Sequence, residues 1–577
     1  MKRYLIFVGA SLIFACGNPH SKTNSHPEAK GGRIYGGTLK VNETDYYVSL
    51  FPHAIADVVS VDIAEQIYQG LVKIDEKKIT HILPCIAESW EVSPDGTVYT
   101  FKLRKGILFH NDSCFTKGIG REVRAQDFKY SFEKLCTPSE DNILSDFRNM
   151  VKGANQYFEA AKTGKSNFDI EGIKVLDDYT LQITLNAPSN SFLFVLSGPS
   201  GYVIAHEAFE KYGNEMKIGT GPFMYSPAST NDKLILLRNP NYVGKDSLDN
   251  RLPFLDSIEF NFISDKTKEL EAFKRGDIHM IFGLPAASIS EMVEQQLADF
   301  NSKNPKYILE RSPELMTQYY QFNLQKKPFD NVKVRQAFSY AIDRDKIIQD
   351  VLNTEAFGAG ICGLTPPGIS GYDITEIKGY SFNPEKAKKL LAEAGFPDGK
   401  NFPKVKVETN SGGGKYADVV EEIQKQLKKV LNVDVDYTVV PFAQKIEDSK
   451  YAKADIFRSA WVADYPSPEN FLRTLWGAEV PDSTGKPSWP NAGRYKNLKY
   501  DELIVKGSQE KNIDSAYSDF KKAEQLMMND APEIILWYVE NLKMIHSFVK
   551  NFYFNPMNYK DFSEVYLQKN PPAEAKP

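Results

Sequence analysis

The sequence predicts a mixed α/β protein built as two or more lobes, and three observations carry that reading. The chain has 577 residues, beyond the size at which one hydrophobic core keeps growing. Strand-like and helix-like segments alternate from Gly36 onward, without a Pro/Gly/Ser-rich linker between them. The lobes are therefore expected to be assembled from discontinuous segments. Composition is that of an ordinary globular protein, 42% hydrophobic and 25% charged.

The N-terminus has the layout of an export signal. Met1, Lys2 and Arg3 precede an apolar run over residues 4–15, too short for a spanning helix, which needs roughly 20 apolar residues. The run ends in Leu12-Ile13-Phe14-Ala15-Cys16-Gly17. Ile13, Ala15 and then Cys16 resemble a bacterial lipoprotein processing site, from which Phe14 departs because a small residue is usual there. Residues 1–15 are expected to be a signal peptide, Cys16 the lipidated residue, and residues 16–33 a flexible, lipidated tether rich in Ser, Asn, Pro and Lys. The alternative is an ordinary signal peptide that happens to contain a cysteine.

Gly37-Thr38-Leu39-Lys40-Val41 starts a strand. Residues 60–71 place Val61, Ile63, Ala64, Ile67, Tyr68 and Leu71 at helical spacing. Strand-like runs at 90–92 and 97–103 flank Ser93-Pro94-Asp95-Gly96, a hairpin signal. Residues 125–135 read as an amphipathic helix, and Asp177-Asp178 as the turn of a second strand–turn–strand. Residues 332–352 have helical period, broken at Asp343, a good N-cap for the second half. Asn383-Pro384, Ala387, Leu390, Leu391 and Gly395 spell a helix with cap, first-turn proline and glycine stop. A helix over 418–430 and a strand over 433–440 follow, and residues 569–577 end the chain as a disordered tail.

Catalytic signatures are absent from this sequence. The eight histidines show no three-to-five spacing and no HExxH, and neither GxSxG nor GxxxxGK[ST] occurs. Gly412-Gly413-Gly414 before a helix could offer N–H groups to an anion, but such a loop is more often a plain turn. Formal net charge is −5 without single-sign blocks, which gives no footing for a nucleic-acid partner. Besides Cys16 there are Cys85, Cys114, Cys136 and Cys362. Export permits disulfides, with three pairings open and free thiols as the alternative. Cys114–Cys136, which flank one predicted helix, is the pairing expected.

Several stretches resemble the bacterial extracellular solute-binding protein family 5, the oligopeptide-, dipeptide- and nickel-binding receptors of ABC transporters. They are Ile86-Ala87-Glu88-Ser89-Trp90 with Leu103-Arg104-Lys105-Gly106-Ile107, Ala125-Gln126-Asp127-Phe128, and Gly219-Thr220-Gly221-Pro222-Phe223. Val334-Arg335-Gln336-Ala337-Phe338, Ala341-Ile342-Asp343-Arg344, Thr365-Pro366-Pro367 and Trp461-Val462-Ala463-Asp464-Tyr465-Pro466-Ser467-Pro468 continue in the family's order. The resemblance implies a periplasmic-binding-protein-like fold of type II. Lobe I is expected from 34–70, 199–319 and 533–568, an additional α/β subdomain from 71–198, and lobe II from 320–532. It implies no enzyme and no cofactor, but a monomeric receptor in the cell envelope. Held by its lipid anchor and facing the periplasm, it would take short peptides in an interlobe cleft and pass them to ABC permease transmembrane subunits. A same-fold receptor for a nickel chelate, haem or oligosaccharide is the alternative, and a secreted hydrolase a more distant one.

A short peptide presents an ammonium, a carboxylate and a row of backbone groups, and burying either charge without a partner is costly. Asp464 stands where similar receptors place an aspartate on the α-amino group; otherwise it caps the turn before Pro466. Arg458, six residues earlier on a predicted strand, shares a face with Ala460 and Val462. It matches a carboxylate-contacting arginine of some oligopeptide receptors, or else it pairs with an internal acid. Lys415 is an alternative carboxylate partner. Trp461, on the other strand face, is expected to wall a side-chain pocket, as is Phe442. Ala56-Asp57-Val58 resembles a segment that pairs with peptide backbone. Trp537 and Tyr538 are expected in the core.

Overall fold

The computed structural model describes residues 28–55, 57–139, 145–165, 168–283, 305–411, 415–483 and 485–568. The expected signal peptide, Cys16, Ala56, Gly412–Gly414 and the C-terminal tail lie outside the described residues. The end of the expected tether is folded. Glu28–Ala29 and Arg33–Ile34 pair around Gly31 and Gly32, both with positive φ. Lys30 N–H donates to Asn250 Oδ1, and Arg33 pairs with Asp246.

Lobe I is built on a four-stranded sheet in the order Phe223–Tyr225, Lys233–Arg238, Ser257–Phe262, Thr38–Glu43, the last pair parallel. The helix Val58–Ile67 packs beside it. Gly219 and Gly221 cross the end of that helix so closely that a Cβ would stand 2.1 Å from Ile67 O and 2.5 Å from Gln66 O. Glycine is therefore a steric requirement at both positions.

The additional subdomain is a four-stranded antiparallel sheet in the order Ala87–Val92, Val98–Leu103, Thr180–Thr184, Ile173–Asp177, covered by the helix Ala125–Leu135. Its first hairpin turns at Gly96, as the Asp-Gly signal indicates, with Ser93 N–H bonded to Val98 O. One apolar cluster runs from Leu39 and Phe260 in lobe I to Phe101 and Phe128 in the subdomain, so the two share a core.

A seven-stranded sheet runs from lobe I into lobe II in the order Met280–Phe282, Glu533–His546, Tyr307–Phe322, Ile456–Val462, Val405–Asn410, Val435–Val440, with Gly358–Ala359 also paired to Glu533–His546. Val332–Ala341, Pro384–Glu393 and Tyr416–Leu431 cover one face, with Val334, Phe338, Leu391 and Val420 buried between. Leu498–Gln509 and Ile513–Asp530 cover the other, through Tyr500, Phe520 and Met527. The break at Asp343 is real: its carboxylate accepts from Lys346 N–H and starts a new turn.

Two strands pass through both halves. Tyr307–Arg311 pairs with Leu542–His546 on the lobe I side, and Thr317–Gln321 with Glu533–Tyr538 in lobe II. Between these stretches Glu314, Leu315 and Met316 stand opposite Val539 alone, which makes a bulge. The interruption of the ladder falls at 313–317 and 538–540. Trp537 and Tyr538 are buried there.

The expected Cys114–Cys136 bond is not formed, and all four described cysteines are free thiols. Cys136 is sealed at the C-terminal end of Ala125–Leu135, whereas Cys114 sits in a half-exposed loop with its N–H on Asp112 Oδ1. The two have different surroundings, Cys114 beside Asp112, Glu207 and Lys211 and Cys136 beside Arg148 and Glu133, and no bond joins them.

Glu533 starts one of the crossing strands fully buried. Gln321 donates to its Oε1 at 2.9 Å, Oε2 has no partner among the described residues, and burial pushes its carboxyl up to about 8. A carboxyl raised in the folded state binds more protons there than in the unfolded chain, so its contribution is fullest at low pH and is lost as pH rises through about 8. Glu533→Gln should raise the thermal midpoint at pH 8.5 by roughly 2 °C or more, with the gain shrinking towards pH 5. Differential scanning calorimetry checks this; a gain independent of pH would reject the assignment.

Candidate functional site

The strand Ile456–Val462 lies antiparallel to Tyr307–Phe322 and parallel to Val405–Asn410. The second pairing covers only Ile456 and Phe457, so the strand continues past its neighbour towards the bulge. Alternation places Arg458, Ala460 and Val462 on one face, cross-paired with Tyr320, Gln318 and Met316. Exposure rises along that face from 6% at Arg458 to 42% at Val462. It is a ledge, buried at one end and open at the other.

Asp464 follows directly. Asn470 holds it from both sides: Asn470 Nδ2 donates to Asp464 Oδ2 at 3.0 Å, and Asp464 N–H donates to Asn470 Oδ1 at 3.1 Å. Trp461 Nε1 donates to the same Oδ1 at 2.8 Å. The adjoining helix Pro468–Leu472 is capped by Ser467, which accepts from Glu469 N–H, so capping is not the task of Asp464. Its side chain is reached by solvent, yet protein surrounds it closely. Burial raises its carboxyl above the ordinary aspartate value against the Asn470 bond, and the Asp146 carboxylate of the subdomain adds to the rise.

Arg458 lies at the buried end. It donates to Asn410 Oδ1 at 3.3 Å and to Gln318 Oε1, and its guanidinium stacks 3.8 Å from the Tyr416 ring. Among the described residues no carboxylate is within ion-pair distance, and its Nε has no partner. The internal ion pair weighed from the sequence is not made. Six residues of strand separate it from Asp464, roughly 20 Å at about 3.3 Å each.

The remaining candidates are placed as follows. Lys415 pairs with Glu355 at 3.4 Å, so its charge is already answered. Asp57 caps the helix Val58–Ile67, accepting from Ser60 N–H at 2.8 Å and Ser60 Oγ at 2.6 Å, and Val58 opens that helix exposed. Trp461 is half-buried and acts on Asn470. Phe442 begins the helix Phe442–Lys450 with its ring 56% exposed. A cavity of about 930 Å³ between subdomain and lobe II is bordered by Trp90, Tyr99, Phe194, Pro466, Ser467 and Tyr517, but neither Asp464 nor Arg458 lines it. Sequence reasoning missed Asn470 and Gln318. The Asn at the start of a short helix was a visible signal for the first, while the second depends on strand pairing across 140 residues.

Residues 81–482 match the family model of bacterial extracellular solute-binding proteins, family 5 Middle. The chain belongs to that family. Family 5 proteins are solute-binding receptors and not enzymes. Curated relatives include Heme-binding protein A of Haemophilus influenzae, 28% identical over 98% of this chain and 99% of the relative. Dipeptide-binding protein DppE of Bacillus subtilis is 26% identical over 94% and 93%. The solved periplasmic binding protein DppA of Helicobacter pylori, in complex with peptide STSA, aligns at TM-score 0.72 with 28% identity, covering 93% of this chain and 99% of its own. The family 5, type II fold is thereby shown. No helix among the described residues is long and apolar enough to cross a membrane.

Proposed function

We propose that this chain is the substrate-binding lipoprotein of an ABC importer, anchored through Cys16, and that it takes short peptides between its lobes. Asp464 receives the α-ammonium, and Arg458, at the far end of the same ledge, receives the carboxylate. The observation that carries this reading is a strand ending in a carboxylate at one side and a buried guanidinium at the other, neither ion-paired among the described residues. An extended peptide answers both charges at once and can use the strand's open edge for its backbone. The name of the Haemophilus influenzae relative keeps haem as a second reading; it would leave the ammonium site at Asp464 without a partner.

Native mass spectrometry of protein purified without denaturation separates the two: a ladder of peptide masses is expected, and a single haem mass would reject the first reading. Asp464→Ala should weaken peptide binding by more than about tenfold while leaving the ligand-free melting temperature nearly unchanged; unaltered affinity in titration calorimetry removes Asp464 from the site. Because the Asp464 carboxyl is raised, an entering ammonium must hold it ionised. Affinity should therefore fall on acidification at a higher pH than an ordinary aspartate would dictate, and Asp464→Asn should flatten that part of the profile. For the anchor, Cys16→Ser should move the protein from the detergent to the aqueous phase on detergent partitioning.

A further inference from the structure

Beside the ledge stands a second charged group that the proposed function does not use. The helix Phe442–Lys450 begins at the carboxyl end of the strand Val435–Val440, on the edge of the sheet where ligands of open α/β folds bind. Lys445, in its first turn, is only 2% exposed, and its Nζ lies 5.2 Å from the Phe442 ring and 5.8 Å from the Trp489 ring. Both rings are open to solvent, Trp489 at 39%. Neighbouring lysines on this helix and just after it are matched, Lys450 with Glu447 and Lys453 with Asp448. Among the described residues Lys445 has no carboxylate within ion-pair distance.

We propose that Lys445, with the Phe442 and Trp489 rings beside its Nζ, is the counter-ion for an acidic side chain of the bound peptide. This rests on the peptide reading and adds the substrate class to it. The acids nearby leave the place vacant. Asp448 is taken by Lys453 at 2.6 Å and Gln444 at 2.8 Å. Glu408, on Val405–Asn410, is buried with Oε1 partnerless, and burial together with the Asp448 charge pushes its carboxyl up to about 7. Near neutral pH it is partly protonated and neutralises Lys445 incompletely. Burial and the Arg458 guanidinium push the Lys445 ammonium down to about 8, against the pull of Glu408. An incoming carboxylate would pair with Lys445, while the two rings cover the methylenes of a glutamate and keep water out.

The test uses titration calorimetry on the full chain with Ala-Ala-Ala, the three tripeptides carrying one Glu in place of Ala, and their three Gln counterparts. At least one Glu peptide should bind about tenfold or more tightly than its Gln counterpart. That advantage should drop to within about twofold in Lys445→Met and persist in Lys445→Arg, each measured against the Gln counterpart on the same protein. Glu and Gln peptides that bind the wild type alike overturn the inference without any variant, as does an advantage that survives Lys445→Met. If neutral tripeptides bind and show no Glu preference, this inference alone falls. If none of the seven binds, the peptide reading falls and takes the inference with it.

Discussion

Pairing between Tyr307–Phe322 and Glu533–His546 is the constraint on which the rest of the structure depends, because these two strands carry the chain between lobes. A continuous ladder would make them one stiff ribbon. The bulge at Glu314–Met316 interrupts it, and local hydrogen bonding passes to other partners. Leu315 is buried there, with its N–H on Pro556 O and its carbonyl accepting from Ala463 N–H, at 2.9 and 2.8 Å. Arg311 spans the lobe I side of the break to Glu540 through two bonds, at 2.9 and 2.8 Å. The break in the ladder is therefore ordered, which is what a two-strand hinge requires if the lobes are to move as bodies about a fixed axis.

The same residue ties the hinge to the site. Ala463, bonded to Leu315, immediately precedes Asp464, and Asn470 fixes the Asp464 carboxylate while being fixed itself by Trp461. The position of the carboxylate is set by neutral donors and acceptors, which locate it without neutralising it. An ion pair in place of Asn470 would hold the side chain as firmly and leave it nothing to offer a ligand's ammonium.

Legibility of the sequence follows the range of the interactions involved. The Asp-Gly hairpin, the Asp343 cap and the helix stop at Gly395 are local, and residues a few positions apart decide them. The strand face shared by Arg458 and Val462 was readable for the same reason. The folded end of the tether was not, because Lys30 and Arg33 are fixed by Asn250 and Asp246, 220 and 213 residues away. Arg458 showed its spacing from Asp464 in the sequence, but its lack of a counter-ion became visible only when Gln318, Asn410 and Tyr416 were found around it. The cysteine pairing failed similarly: proximity along the chain does not decide which side chains meet in space. Motif order across most of the chain indicated the fold because short motifs can record a steric need whose partner is distant in the chain, such as Gly219 against Ile67 O.

If Asp464 and Arg458 hold the two ends of a peptide as proposed, their lack of counter-ions would explain how the site discriminates while tolerating varied side chains. Arg458 is buried and Asp464 is reached by solvent though closely surrounded, each held by uncharged partners, so the ligand-free receptor bears a desolvation cost that falls mostly on Arg458. A guest that supplies both an ammonium and a carboxylate relieves it at both ends. A guest that lacks one leaves a charge enclosed and unanswered when the lobes close, at a cost of several kcal/mol. On that reading, rejection of the wrong solute would come from the receptor's own unmet charges, and the open strand edge between them could stay indifferent to sequence.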